Sequence, residues 1–334
     1  MPLKGNQRPC YYLPVSRQIF RKSVVYLPLM INLPCILFCE DPFESNEVDP
    51  DYKEDYLAVK QLGFETLLFN FEDLTSDDNY ERASRKIKPA ATNKKVIYRG
   101  WMLRPKQYAL LYNDLLRKNY ELINTIEQYQ NCHYLPDSLQ FIEGRTPKTI
   151  FQKIEDADSI DKLVVAAKVF GPNSVILKDY VKSEKHDWET ACFVPDATNS
   201  AQLKKSIEKL IELRGKHLNE GIVIRVFIEL NALTIHSKSG MPLTEEYRLF
   251  FFNKKLLGIY DYWEEGAYSP TRPDTAEFEN IASTIDSNFF TMDIARQKDG
   301  QFIIIELGDA QVAGLPNTLL KTEFYKTLKS GIVS

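Results

Sequence analysis

The 334-residue chain has few of the residues that build disulfide frameworks and metal clusters. Its five cysteines are odd in number and form no CxxC pair, which argues against both a disulfide scaffold and a zinc knuckle. Its four histidines are scattered without an HExxH spacing. Transition-metal chemistry is therefore not expected, and a reducing, cytoplasmic setting fits the cysteines best.

The sequence also lacks the glycine patterns of common nucleotide sites. It contains neither GxxxxGK[ST] nor a GxGxxG that follows a strand, so it predicts no P-loop and no Rossmann site. No local signature marks a Ser/His/Asp triad or a cysteine nucleophile. The net charge of −4 provides no overall basic field, so nucleic-acid binding would depend on a local patch.

Acidic residues are absent from the first 39 positions, and the first carboxylate is Glu40. This bias is typical of organellar targeting segments, and the apolar run at 23–39 also resembles a secretory core. Prolines and an asparagine interrupt that run, which is too short and broken for a membrane span. We expect residues 1–33 to form an extension outside the main domains, with a targeting role as the alternative.

The hydrophobic pattern from residue 34 onward predicts an α/β layer followed by an α+β half. "LPCILFCED" indicates a strand, residues 52–62 have helical spacing, and "ETLLFNFEDL" and "KKVIYRGW" indicate two more strands. Strand, helix, strand is typical of a parallel sheet, whose ligands meet the carboxyl ends of the strands. Asp41, Arg99 and Trp101 fall at such ends.

The rest of the chain alternates between helix and strand before becoming mainly β. We expect a helix over 105–130, a turn-rich connection over 134–160, and strands at "VILKDY" and "ACFVPD". A helix over 200–218 precedes five further strands, "GIVIRVFIEL", "EYRLFFF", "KKLLGIYDYW", "FFTMDIA" and "QFIIIEL".

The two C-terminal strands predict a pair of opposed carboxylates. Asp299-Gly300 favours a two-residue type I′ hairpin, which places Asp293 directly opposite Glu306. Like charges at that position repel, and a divalent cation such as Mg²⁺ would relieve the repulsion, with Asp309 as a possible third ligand. Alternatively, one carboxylate points to solvent or pairs with Arg248 or Arg296.

Positive side chains occur inside or at the end of strands that are otherwise apolar. Lys178 ends "VILKDY", Arg225 lies within "GIVIRVFIEL", and Arg248 lies within "EYRLFFF". Such residues can hold a polyphosphate beside the carboxylate pair, or they can form ordinary structural ion pairs.

Four stretches resemble the ATP-grasp superfamily, in the clade named for a characteristic arginine and two lysines: "FCEDPFESNEVDPDYKEDYLAVKQLGFE", "YRGWML", "LKDYVKSEKHDW" and "ELGDAQVAGLP". The resemblance runs from Pro34 to Pro316. It implies an ATP- and Mg²⁺-dependent ligase in which two α+β subdomains clamp ATP. The corresponding domains are a pre-domain at 34–110, a lysine-bearing subdomain at 111–222 and a metal-binding subdomain at 223–334.

The resemblance also implies roles for individual residues. Lys178 and Lys182 would contact phosphates, and Asp293 and Glu306 would hold Mg²⁺. The nucleotide-binding set is completed by Glu229 on the ribose, the backbone near Leu230 on adenine, and Arg248, preferred over Arg225, as the clade arginine. Lys148 is a further phosphate candidate beside its alternative as a plain loop lysine.

Two departures from the family pattern stand out. The usual Glu-x-Asn ending is replaced by Glu306-Leu307-Gly308-Asp309, in which Asp309 is the possible substitute ligand. The glycine-rich phosphate loop is absent, so that lysine side chains would replace backbone amides as the phosphate grip.

By resemblance, ATP would phosphorylate a substrate carboxylate, and an amine or similar nucleophile would attack the acyl phosphate. Asp41, Arg99 and Trp101 would face the second substrate. One alternative is an RNA-end ligase on the same fold, in which Lys185, His186 and Trp188 join the two lysines in binding a nucleic-acid end. Another is a non-catalytic ATP-binding protein.

Overall fold

The computed structural model describes residues 33–76, 80–238, 240–316 and 319–333. The predicted extension over 1–33 lies, apart from Leu33, outside the described residues. Within these ranges, no helix is both long and apolar enough to cross a membrane.

The first sheet is a parallel α/β layer, as predicted. Its strand order is β2-β1-β3-β4, and all its neighbouring strands are parallel. The helix predicted over 52–62 ends before Gly63, whose φ of +82° turns the chain toward the second strand. The elements are β1 (Cys35–Cys39), α1 (Lys53–Gln61), β2 (Thr66–Phe69), α2 (Phe71–Thr75), β3 (Lys94–Arg99), α3 (Pro105–Arg117) and β4 (Tyr120–Leu122). The sheet extends beyond residue 110, where the sequence places the end of the pre-domain.

The prediction of a single helix over 105–130 is wrong. Helix α3 ends at Arg117, and Asn119 adopts a positive φ of 62°, which sends the chain into β4. The turn-rich connection predicted over 134–160 is also wrong, because Pro136 lies in the first turn of a helix, where a missing N–H costs nothing. Helix α4 (Ile126–His133) follows β4, and the predicted connection contains α5 (Leu135–Ile142), β5 (Thr149–Lys153) and the start of α6 (Ala157–Ala166).

The second sheet is antiparallel, with strand order β5-β8-β6-β7. It contains β6 (Val175–Asp179), β7 (Phe193–Val194) and β8 (Gly221–Val226), and α7 (Ser200–Arg214) connects β7 to β8. Leu177 and Ile224 face the apolar core shared with α6 and α7. Because side chains alternate along a strand, Lys178 and Arg225 point to the opposite face.

The third sheet is antiparallel, with strand order β12-β11-β13-β14, and a small hairpin that the sequence did not predict precedes it. One face packs in a core with residues of α4, α5 and α8. On the other face, Phe250, Phe252 and Phe289 join an apolar core with the first sheet and α9. Farther along the same strands, this face carries charged side chains. The elements are β9 (Ala232–Ile235), β10 (Pro242–Thr244), β11 (Glu246–Phe252), β12 (Lys255–Asp261), α8 (Ala276–Ala282), β13 (Phe289–Arg296), β14 (Phe302–Asp309) and α9 (Lys321–Val333).

Candidate active site

The β13–β14 hairpin places Asp293 directly opposite Glu306, as predicted, but its turn and its register differ from the prediction. The type I′ turn is wrong, since that turn needs a positive φ at both central residues and only Gly300, at +88°, has one. The Gln297 N–H donates to the Gln301 carbonyl at 2.8 Å across a three-residue loop, which shifts the register by one. A β-bulge between Asp293 and Ile294 restores it.

Two side chains from the second sheet reach β14 at this bulge. Lys178 Nζ donates to Glu306 Oε2 at 2.7 Å, and Arg225 Nη1 donates to the Ile305 carbonyl at 2.7 Å. Ile305 is the extra residue of the bulge, because Asp293 pairs with Glu306 and Ile294 pairs with Ile304. The second and third sheets are therefore joined at the carboxylate pair.

Arg225 is almost completely buried, at 2% exposure, and its bonds go to neutral oxygens. Its Nε and Nη2 donate to the hydroxyls of Thr149 and Thr146, at 3.2 and 2.6 Å. Burial lowers the pKa of Arg225 to about 10. Arg225 therefore links the start of β5 to the bulge, and its donors all bind groups of the protein.

Arg248 binds Asp293 in a bidentate ion pair. Its Nε and Nη2 donate to Asp293 Oδ1 and Oδ2 at 2.8 and 2.7 Å, and its guanidinium lies 4.8 Å from the Tyr262 ring centroid. Asp293 is 3% exposed, and burial raises its pKa against the opposing pull of Arg248. The alternative in which Arg248 pairs with one of the carboxylates is the arrangement found.

Together, Lys178, Arg248, Asp293 and Glu306 form what we call the charge cluster. Burial alone would raise the pKa of Glu306, but the positive charges of Lys178 and Arg248 outweigh it and lower the pKa to about 2. The two anions and two cations cancel, which explains how the fold tolerates opposed carboxylates.

The "LKDYVKSEKHDW" stretch forms a tight turn immediately after β6. Asp179 Oδ1 accepts the N–H groups of Val181 and Lys182 at 2.7 and 2.5 Å, and the Asp179 N–H donates to the Lys182 carbonyl at 2.8 Å. The buried Asp179 is itself fixed by Arg214 Nε at 2.9 Å. The turn ends the strand, so Lys182 continues neither a strand nor a helix.

The turn brings further positive charge toward Glu306. Partial burial lowers the pKa of Lys182, and the positive charges of Lys178 and Arg214 lower it further. The side chain of Lys182 nevertheless reaches solvent. Lys185 Nζ lies 5.5 Å from the centroid of the Trp263 ring, and its positive charge helps to lower the pKa of Glu306. His186 follows in an exposed single helical turn.

The structure does not bring Asp309 to the carboxylate pair. Along β14, Glu306 and Gly308 point to one face, and Leu307 and Asp309 to the other. Asp309 Oδ2 accepts from Asn124 Nδ2 at 2.6 Å, and burial raises the pKa of Asp309 to about 7. A glycine therefore occupies the position on the Glu306 side where the family pattern has its asparagine.

Arg99 is a buried structural residue and not an open substrate contact. It is 2% exposed, and its Nη1 donates to the carbonyls of Ala310 and Ala313 at 2.6 and 3.0 Å. It thereby holds the chain that follows β14 against the end of β3. This contact joins the "YRGWML" and "ELGDAQVAGLP" stretches that carried the family resemblance.

The other two predicted substrate residues lie in loops at the same sheet edge. Asp41 Oδ1 accepts the N–H groups of Phe43 and Glu44, at 2.7 and 2.9 Å, and so orders its own loop. Trp101 Nε1 donates to Asp49 at 2.8 Å, while 39% of the Trp101 surface remains exposed. Of the three, Trp101 offers the large exposed surface.

The predicted nucleoside contacts lie where β8 leads into the third-sheet region. Glu229 is exposed and pairs with Lys298 at 2.6 Å, and Leu230 forms a backbone bridge with Gln297. Trp188 stacks on Phe193 at 5.4 Å, close to Phe227. Exposed Lys148 precedes β5, and its carbonyl accepts the Val226 N–H at 2.9 Å.

One buried carboxylate near the charge cluster was not selected from the sequence. Glu246 begins β11 and shares a face with Arg248, two residues along the strand. The alternation in "EYRLFFF" already placed both side chains on one face, so the pattern contained the signal.

The fold and one stretch of the sequence match known proteins. Residues 169–328 match the ATP-grasp domain model for family 3 of the clade named for one arginine and two lysines. A search of curated protein sequences finds no match. A RimK domain ATP-grasp protein from Sphaerobacter thermophilus has a TM-score of 0.53 at 14% identity, covering 90% of this chain and 100% of that chain.

Two further solved structures have similar folds. D-alanyl-alanine synthetase A from Vibrio cholerae has a TM-score of 0.50 at 12% identity, covering 91% of this chain and 99% of that chain. The ATP-grasp ligase PsnB, complexed with precursor peptide PsnA2 and AMPPNP, has a TM-score of 0.51 at 11% identity, covering 90% and 98%. The chain thus has an ATP-grasp fold, and its residues 169–328 match the model of the ATP-grasp domain of family 3 of the arginine and two-lysine clade.

Proposed function

We propose that this chain is an ATP- and Mg²⁺-dependent ligase that converts a substrate carboxylate to an acyl phosphate for attack by an amine or similar nucleophile. The observation that carries the proposal is the charge cluster, which lies where the second and third sheets of an ATP-grasp fold meet. The cluster provides both anions for a metal and cations for phosphates at one place.

The carboxylates of Asp293 and Glu306 fit one Mg²⁺ shared with a nucleotide. Both offer hard oxygen ligands, and Mg²⁺ commonly takes one or two carboxylates and completes its shell with water and substrate phosphates. No group of three or more acidic, histidine or cysteine side chains suited to a metal occurs in the described ranges, so a protein-only cage is not expected. PsnB has been solved with Mg and ADP, and we carry that pair over to this chain.

The bound metal would neutralise charge developing on the transferring phosphoryl group. Lys178 and Arg248, which pair with Glu306 and Asp293, would turn to phosphate oxygens once the metal neutralises these carboxylates, and the planar guanidinium of Arg248 suits that task. Lys182 is the second phosphate lysine, since it lies near Glu306 and reaches solvent.

The remaining residues divide into nucleotide contacts and supports. We keep Glu229 and the Leu230 backbone as the nucleoside contacts. Arg225 positions Glu306 through the Ile305 carbonyl and is assigned to support, since it is 2% exposed. The Arg248 side chain, by contrast, is 18% exposed at the carboxylate pair. The phosphate arginine is therefore Arg248, and the metal set does not include Asp309.

Product analysis tests the reaction class. The protein is incubated with MgATP, hydroxylamine and pools of amino acids or short peptides as carboxylate donors. We expect ADP, phosphate and a hydroxamate, because hydroxylamine intercepts an acyl phosphate. The Glu306→Gln variant should lose the product, and Asp299→Asn, which removes a charge from the turn of the same hairpin, should keep it. AMP and pyrophosphate as products would contradict the proposal.

A further inference from the structure

Glu246 lies on the charged face of the third sheet, one row from the charge cluster. It pairs across the strands with Ala295, while Arg248, two residues on, pairs with Asp293. Glu246 is only 9% exposed. Among the described residues, every side-chain oxygen that is shut off from solvent has a hydrogen-bond partner, so an oxygen of Glu246 without one is open to solvent or to a ligand.

Only one oxygen of Glu246 is bonded. Its Oε1 accepts from the Thr244 hydroxyl and from Trp263 Nε1, the latter at 3.2 Å. Across the described residues, Oε2 receives no hydrogen bond and no cation lies within 4.0 Å of the carboxylate. The adjacent Glu245, by contrast, has an arginine partner, Arg296, at 3.0 Å.

The surroundings of Glu246 favour a cation. The Trp263 indole that donates to Glu246 also has the Lys185 ammonium 5.5 Å from its ring centroid, which shows that a primary ammonium fits over this ring. Burial raises the pKa of Glu246, the positive charge of Lys185 lowers it, and the negative charge of Asp293 raises it by less. Within hydrogen-bond distance of Oε2, a phosphate or carboxylate would face the Glu246 carboxylate itself and would be repelled.

We propose that Glu246 binds the ammonium group of the acceptor substrate through Oε2, with the Trp263 ring beside it, so that the acceptor is a primary amine. The inference rests on the proposed ligase function and narrows it to carboxylate–amine coupling. It disfavours a phosphorylated RNA end as acceptor, since that end is an anion.

The test uses ¹⁹F NMR of the full chain labelled with 5-fluorotryptophan. The chain has three tryptophans, and the Trp263 resonance is identified with Trp263→Phe. Glycinamide, a small primary ammonium, is titrated without nucleotide, and glycolamide, which has a hydroxyl in place of the ammonium, serves as the neutral probe. Glu246→Gln is compared with Glu264→Gln, which removes an equal charge from the exposed neighbour of Trp263.

We expect glycinamide to shift the Trp263 resonance saturably, with a dissociation constant at least ~10-fold weaker in Glu246→Gln and nearly unchanged in Glu264→Gln. That factor corresponds to losing one charge-assisted hydrogen bond. Equal dissociation constants in the two variants, or glycolamide binding as tightly as glycinamide, would overturn the inference. Unchanged Trp101 and Trp188 resonances report an intact fold, and Glu246→Asp, which keeps the charge, should retain part of the affinity.

A separate titration with MgADP distinguishes this inference from the proposed function. If the wild type does not bind MgADP but still binds glycinamide in a manner that depends on Glu246, the ligase proposal is refuted and only the cation site at Glu246 stands. MgADP binding with no effect of Glu246→Gln on glycinamide would refute the acceptor site alone.

Discussion

Replacing Lys178 with methionine should destabilise the protein in a pH-dependent manner. Lys178 is the strongest of the charges that lower the pKa of Glu306 from 4.5 to about 2. A shift of that size corresponds to ~3 kcal/mol of stability at neutral pH, which we reduce to about 2 kcal/mol because 32% of the Glu306 side chain is exposed. Lys178→Met should therefore lower the free energy of unfolding by about 2 kcal/mol at pH 7.

The pH dependence follows from the direction of the shift. A carboxylate whose pKa is lowered in the folded state adds stability above its unfolded pKa and loses that contribution as the pH falls toward the folded value. The difference between wild type and Lys178→Met should thus be constant above about pH 5 and shrink below 4.5. Urea unfolding followed by circular dichroism at pH 7 and 3.5 measures it. Lys182→Met, which removes a lysine without an ion pair in the described part of the chain, is the control; an equal loss in both variants would refute the reasoning.

Three further predictions concern buried charges outside the cluster. Because the pKa of Asp309 is raised to about 7, the folded state keeps a proton on this carboxyl that the unfolded state loses near pH 4. The contribution of Asp309 to the free energy of unfolding therefore falls as pH rises from 4 to 7. In urea titrations, the free energy of unfolding of the wild type minus that of Asp309→Asn should drop by about 2 kcal/mol between pH 5.5 and 7. Arg225→Lys keeps the charge, but the single nitrogen of lysine cannot reach all three acceptors around the guanidinium, so we expect a loss of about 2 kcal/mol in unfolding free energy and weaker MgATP binding by calorimetry. Arg99→Met leaves the buried Asp55 without its arginine partner at 3.6 Å and should cost about 3–5 kcal/mol in thermal or urea unfolding. A folded variant with altered substrate KM but unchanged stability would contradict the structural role of Arg99.

The parallel first sheet and the paired carboxylates could be predicted because they depend on local patterns. Strands β1 and β3 are short, apolar and bounded by polar residues, and the spacing of α1 is helical. The Asp293–Glu306 pairing was predicted correctly although the turn was not. A three-residue loop and a bulge each shift the register by one, and the two shifts cancel.

The short elements between residues 118 and 166 could not be predicted in the same way. Helices α4 and α5 are eight residues each, too short to give a clear period, and they depend on packing against the third sheet. Strand β4 has three residues, and its formation requires the left-handed Asn119 and the β3 edge.

The sequence also could not separate structural from functional charges. Arg99, Arg225 and Arg248 all lie within or at the end of apolar strands, yet their partners differ. Arg99 binds backbone carbonyls and Asp55, Arg225 binds threonine hydroxyls and a backbone carbonyl, and Arg248 binds Asp293. The differences among these arginines depend on partners that lie far away in sequence. The error at Asp309 is local: it is three residues from Glu306 in one continuous strand, and alternation turns it to the other face.

Electron paramagnetic resonance of Mn²⁺, used in place of Mg²⁺, tests the charge cluster most directly. With ADP present, the wild type and Asp299→Asn should convert free Mn²⁺ to a protein-bound signal, because in the proposed site Asp293 and Glu306 would hold the metal together with the nucleotide phosphates. The Asp293→Asn/Glu306→Gln double variant should leave the Mn²⁺ signal as it is with ADP alone. Equal protein-bound Mn²⁺ in the double variant and the wild type would contradict the assignment of the site.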